Sequence, residues 1–65
     1  MVKLVVTNID GFTLLEARLI SSGIDYEYEI DDYGKYGLST PYLLVDDVPL
    51  DTKRAFKWIK ERVNE

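Results

Sequence analysis

The chain has no cysteine and no histidine. The first absence removes disulfides, thiolate metal ligands and every cysteine-based redox step. The second removes the imidazole base and the usual zinc ligand set, leaving carboxylates, Lys, Tyr, Ser and Thr as the only groups for chemistry. Long apolar runs are missing too, since nothing approaches the roughly 20 residues of a membrane span. The opening MVKLVVTNID is interrupted by Asn8 and Asp10 too soon for a secretion signal. A cytoplasmic protein with no membrane association is the expectation.

What is present fits one small domain: 65 residues, 46% hydrophobic and 31% charged. A domain of about 60 residues buries only roughly 60% of its unfolded surface, so each large apolar side chain counts. Twelve acidic and eight basic residues give a net charge of −4, with the acids concentrated between Asp25 and Asp51. Such a balance repels phosphates, and no nucleic-acid partner is expected. Lys53, Arg54, Lys57, Lys60 and Arg62 near the end suit a solvated helix face.

Along the chain, Val2 to Thr7 reads as a central strand, because Val2, Leu4 and Val6 fall on one face and Val5 on the other. Asn8, Asp10 and Gly11 break it, and the apolar spacing turns helical. Phe12, Leu15 and Leu19 form one stripe, widened by Leu14, Ala17 and Ile20, with Asn8 or Asp10 as N-cap and Gly23 closing the helix. Ile24, Tyr26, Tyr28 and Ile30 then alternate with Asp25, Glu27 and Glu29. That alternation predicts an edge strand with one buried face.

The stretch DDYGKYGLS, Asp31 to Ser39, mixes glycines, acids and aromatics and reads as a loop. Tyr42 to Val45 is apolar on both faces, and Asp46-Asp47 makes a hairpin turn into Val48–Leu50. From an N-cap at Asp51 or Thr52 the remainder is an amphipathic helix, with Ala55, Phe56, Ile59 and Val63 facing in and Trp58 at the margin. The order is strand, helix, strand, loop, strand, strand, helix. A parallel first pair, an antiparallel last hairpin and two helices on one face of a four-stranded mixed sheet follow.

Asp31, Asp32, Asp46, Asp47 and Asp51 are the candidate metal or acid–base residues. They lack the fixed offsets of a calcium loop and fall largely in predicted turns, where Asp is common for local reasons. No metal and no cofactor is expected. Among the aromatics, Tyr26 and Tyr28 suit core packing, while Tyr33, Tyr36 and Trp58 are interface candidates.

The order of elements, together with SSGIDYEYEID, TPYLLVDDVPL and LDTKRAFKWIKERV, resembles the glutaredoxin branch of the thioredoxin superfamily over nearly the whole chain. The resemblance implies a β-α-β-β-β-α fold with strand order 4-3-1-2. Thr40-Pro41 matches the family's Thr or Val and cis proline at the start of the third strand, beside the active site. The departures are large. Where the family carries Cys-x-x-Cys, this chain has Asp10 to Thr13 or Gly11 to Leu14, so no thiol nucleophile remains and oxidoreductase activity is not expected. The family's second helix is absent from Asp31 to Ser39. Its glycine pair and acidic residue have no clear equivalent around Asp51 to Arg54, which argues against glutathione binding.

Without that second helix one sheet face should lie open. Val5 with Leu44 or Tyr42 should place apolar side chains there, and Tyr33, Tyr36 and Leu38 should fold across them. Glu27, Glu29 and Asp25 should make the edge strand polar on that side, offset by Lys3. The resemblance also implies a peptide groove made by Thr40, Pro41, Asp10, Gly11 and Phe12, in which an extended partner pairs with backbone. The expected role is a non-catalytic protein or peptide binding module. The alternative is a redox accessory protein that uses a thiol from glutathione or a partner, and a homodimer through the open sheet face is a further expectation.

Overall fold

A computed structural model describes residues 1–63. Its elements are strand β1 (Val2–Val6), helix α1 (Leu14–Ser21), strands β2 (Glu27–Ile30), β3 (Tyr42–Val45) and β4 (Val48–Leu50), and helix α2 (Thr52–Val63). Asn64 and Glu65, which the sequence places in the terminal helix, lie outside the described residues. The strands form one mixed sheet in the order β2-β1-β3-β4. β2 runs parallel to β1, whereas β3 is antiparallel to both β1 and β4. The mixed sheet and its strand order are those expected.

Both faces of β1 and β3 are covered, which is why apolar side chains fall on both faces of these two strands, Lys3 apart. On one side Leu4, Val6 and Leu43 pack with Leu15 and Leu19 of α1 and with Ala55 and Ile59 of α2. This is the larger core. Side chains of this size contribute about 1.5–3 kcal/mol each when fully buried. On the other side Val5, Tyr42 and Leu44 form a smaller cluster, joined by Leu38.

Local chemistry sets the connections. Asp46 and Asp47 both take left-handed backbone, with φ of 50° and 67°, as the two-residue turn between β3 and β4 requires. Asp tolerates that region better than most residues. Gly23 has φ 68° just beyond α1, the predicted helix stop. Asp51 caps α2, its Oδ1 accepting the Arg54 N–H at 2.8 Å.

The start of α1 differs from the sequence reading. Neither Asn8 nor Asp10 is its N-cap. Thr13 takes that place with extended backbone, and its Oγ1 accepts the Glu16 N–H at 3.2 Å. Because the helix starts this late, Phe12 precedes it and is 71% exposed; Leu14 and Ile20, each one residue off the buried stripe and so about 100° around the helix from it, also face solvent. The buried stripe is Leu15 and Leu19 alone. At the other end of the chain, burial of α2 stops at Ile59 and leaves Val63 exposed, while Trp58 packs at the core margin as expected. β2 is indeed an edge strand, but only Ile24 and Tyr26, which precede it, pack against the core; Tyr28 and Ile30 stand half-exposed because no strand lies beyond them.

Candidate functional site

The ends of β1 and β2 and the start of β3 meet at one end of the sheet, since Val6 pairs with Ile30 and Val5 with Tyr42. The connection after β1 closes on itself there. The Thr7 N–H donates to Asp10 Oδ2 at 2.8 Å, and the Asp10 N–H donates back to the Thr7 carbonyl at 3.3 Å. Asn8 then ties this turn to the end of β2: its N–H and its Nδ2 donate to the two carboxylate oxygens of Asp32, at 3.0 and 2.6 Å. Gly11 follows with φ 61°, and its carbonyl lies 3.5 Å from the Tyr28 hydroxyl, a long contact.

Thr40 and Pro41 stand beside that turn. The Thr7 N–H, and after it the Thr40 hydroxyl, hold the Asp10 carboxyl below its ordinary range, with burial opposing them. Asp10 is therefore a fixed negative charge at neutral pH. The Thr7 hydroxyl also helps by proximity, though it is buried with no hydrogen-bond partner of ordinary geometry. The Thr40–Pro41 bond is cis. The Pro41 carbonyl accepts a 2.7 Å hydrogen bond from Thr52 Oγ1, which joins the first turn of α2 to the start of β3. Of the five groove candidates, Asp10, Thr40 and Pro41 come together with Gly11 adjoining, and Phe12 projects into solvent.

The smaller core has its own polar centre. Asp31 accepts hydrogen bonds from the Tyr42 hydroxyl at 2.8 Å, from the Lys35 N–H at 2.9 Å and from the Tyr33 N–H at 3.2 Å. Its own N–H donates to the Val6 carbonyl. The Tyr42 hydroxyl, first among these donors, keeps the Asp31 carboxyl low; burial, and then Asp31 itself, push the Tyr42 phenol up. Tyr36 meets the Tyr42 ring edge to face, with centroids 6.2 Å apart, and Leu38 packs against the cluster. Tyr36 and Leu38 thus fold across the face as expected. Tyr33 does not: it is 97% exposed, because Asp31 holds its backbone while nothing holds its ring.

The interface candidates do not form one surface. Tyr36 serves the smaller core, whereas Trp58 packs against the larger one, with the Arg62 guanidinium carbon 5.0 Å from its ring centre. The acidic residues have local work. Asp32 and Asp51 hold backbone ends, and Asp46 meets the terminal amine of Met1 at 2.7 Å. Lys3 reaches Glu29 at 4.0 Å, the offset anticipated for the edge strand.

Several of these roles were not read from the sequence. Asp31 as a hub and the Asn8–Asp32 link have modest signals: an Asp just after a strand often captures N–H groups two residues on, and a buried tyrosine needs an acceptor. Thr52 meeting Pro41 has no local signal, because the two are joined only by the fold. Among the described residues no helix is long and apolar enough to cross a membrane, and no cluster of three or more acidic side chains is placed to hold a metal ion. No family model matches the chain, and neither a curated protein nor a solved structure matches it.

Proposed function

We propose that the chain is a glutaredoxin-like domain of the thioredoxin fold that binds an extended protein or peptide segment and carries out no thiol chemistry itself. The observation that carries this reading is the setting of Thr40. Its hydroxyl lies beside the Asp10 carboxylate, its successor Pro41 is anchored by Thr52, and among the described residues its own N–H and C=O enter no backbone hydrogen bond. A backbone held rigidly at a sheet end, with donor and acceptor unspent, suits capture of a peptide in strand form. Asp10 adds a charge that favours partners offering N–H donors or an amine. A second copy docking on the face expected to lie open has weaker support, since the loop covers it and Val5, Tyr42 and Leu44 are already buried within the chain.

The test is selection of a random linear peptide library on the immobilised chain, followed by binding of the enriched peptides to wild type and Thr40→Arg. The reading expects affinity to fall at least about tenfold in the variant, a loss of roughly 1.4 kcal/mol. Equal binding would exclude the groove. A disulfide reductase assay with and without glutathione separates the accessory redox reading: turnover only with the added thiol favours it, and turnover by the chain alone overturns the non-enzymatic assignment.

A further inference from the structure

The two edges of the sheet are not alike. β4 pairs with β3 through a two-residue turn, so Val45 and Val48 are the hydrogen-bonded pair that closes the hairpin. The next pair, Leu44 and Pro49, is then a non-hydrogen-bonded one, and the nitrogen of Pro49 faces outward. A proline there removes the donor from the middle of the outer edge, a standard way of closing an edge to further strands. β2, at the opposite edge, has no such block.

The direction of its backbone groups follows from one bond. The Asp31 N–H donates to the Val6 carbonyl at 2.8 Å, so Asp31 faces β1. Backbone groups alternate sides along a strand, so Glu27 and Glu29 also face β1, and the N–H and C=O of Tyr28 and Ile30 point outward. Side chains alternate between faces in the same strand. Tyr28 and Ile30 lie level with Leu4 and Val6 on the helical side and are 50% and 46% exposed. Glu27 and Glu29 lie on the other side, level with Lys3 and Val5, with the 4.0 Å Lys3 contact their only ion pair among the described residues.

We infer that the outer edge of β2 accepts an added strand from a partner whose residues alternate basic and apolar. Main-chain bonds to Tyr28 and Ile30 would hold it, Lys or Arg side chains would meet Glu27 and Glu29, and apolar ones would lie beside Tyr28 and Ile30. The same charges exclude a second copy of this chain, because β2 pairing with another β2 would set glutamates beside glutamates on one face. This surface is separate from the Thr40 groove and does not depend on it.

The experiment is amide NMR on the full chain titrated with an acetylated, amidated octapeptide of alternating Lys and Val, compared with one of alternating Glu and Val. The Lys peptide should shift and protect the Tyr28 and Ile30 amides, bind at least about tenfold more tightly than the Glu peptide, and bind Thr40→Arg as well as wild type. Glu27→Gln with Glu29→Gln should remove the preference between the peptides, and unchanged β1 and α1 resonances would show that the variant is folded. Equal binding of the two peptides to wild type would overturn the proposal. So would unprotected Tyr28 and Ile30 amides at saturation, or self-association of the free chain through β2. Loss of the Lys peptide in Thr40→Arg would move it to the groove and overturn the edge site while leaving the groove intact.

Discussion

Two helices cover one side of the sheet, and the loop Asp31–Ser39 covers the other. The helical side is held by aliphatic side chains from four elements, in which no single contact organises the rest. The loop side has three buried residues and depends on Tyr42, whose ring supports Tyr36 and whose hydroxyl fixes Asp31. Each side also carries one tyrosine–carboxylate pair. Tyr26 reaches Glu16 at 2.7 Å beside the helices, which pushes its phenol up to about 12, and Tyr42 reaches Asp31 at 2.8 Å under the loop. The first decorates a core that exists without it. The second connects a loop to a strand that would otherwise be bare.

The largest expected effect is on the helical side. Leu19→Ala should lower the stability measured by urea unfolding by about 3 kcal/mol, because Leu19 is fully buried between both helices and the sheet. That is a large share of the few kcal/mol available to a domain of this size. Leu44→Ala on the loop side should cost less, about 2 kcal/mol, since a loop settles into a cavity more readily than packed helices do. Its signature should be faster amide exchange in Asp31–Ser39, with the helical amides little changed. Equal losses, with exchange raised uniformly, would show that the two sides are one cooperative core.

Tyr42→Phe comes next and keeps the ring while removing the hydroxyl. Asp31 is held below its unfolded value of about 3.9, so it contributes stability above that value, and the contribution is lost as pH falls through the lower folded one. With its main hydrogen-bond donor gone, the variant should lose less stability on acidification, read as a flatter urea midpoint between about pH 5 and the acid limit of folding. Tyr26→Phe should change stability less than Tyr42→Phe, because the Tyr26 pair lies at a core margin. The smallest effect tests the turn that both sides share: Asp47→Gly should raise stability by roughly 0.5 kcal/mol, since glycine takes the left-handed backbone without side-chain strain.

The fold was legible where one pattern had one solution. Val2, Leu4 and Val6 opposite Val5 could only be a strand buried on both sides, and Asp46-Asp47 between two apolar runs could only be a short turn. The start of α1 was misread because Asn8 and Asp10 are good caps and come first. The sequence Thr13-Leu14-Leu15-Glu16 carries a competing capping signature, and the structure uses its threonine half while the Glu16 carboxylate accepts from the Tyr26 hydroxyl. That later start leaves Phe12 outside the helix, while Leu14 and Ile20 lie about 100° around the helix from Leu15 and Leu19 and face solvent on either flank of a narrow stripe. At the candidate site, Thr40, Pro41 and Asp10 came from the resemblance, whereas Thr7 had no signal and Asn8, Asp32 and Thr52 stood out only for other roles, as caps or in the acidic cluster. Their partners lie across the sheet, and hydrogen bonds between distant segments leave no periodicity to read.

The arrangement of aromatic rings also gives the molecule two optical reporters. The one tryptophan, Trp58, sits against the helical side under Arg62, and its emission answers to the state of that core. The Tyr36–Tyr42 pair sits under the loop, in an asymmetric setting that gives near-ultraviolet dichroism of its own. Detachment of the loop alone would therefore dim a tyrosine signal while the tryptophan stayed silent, so an unlabelled sample can show which side of the sheet lets go first.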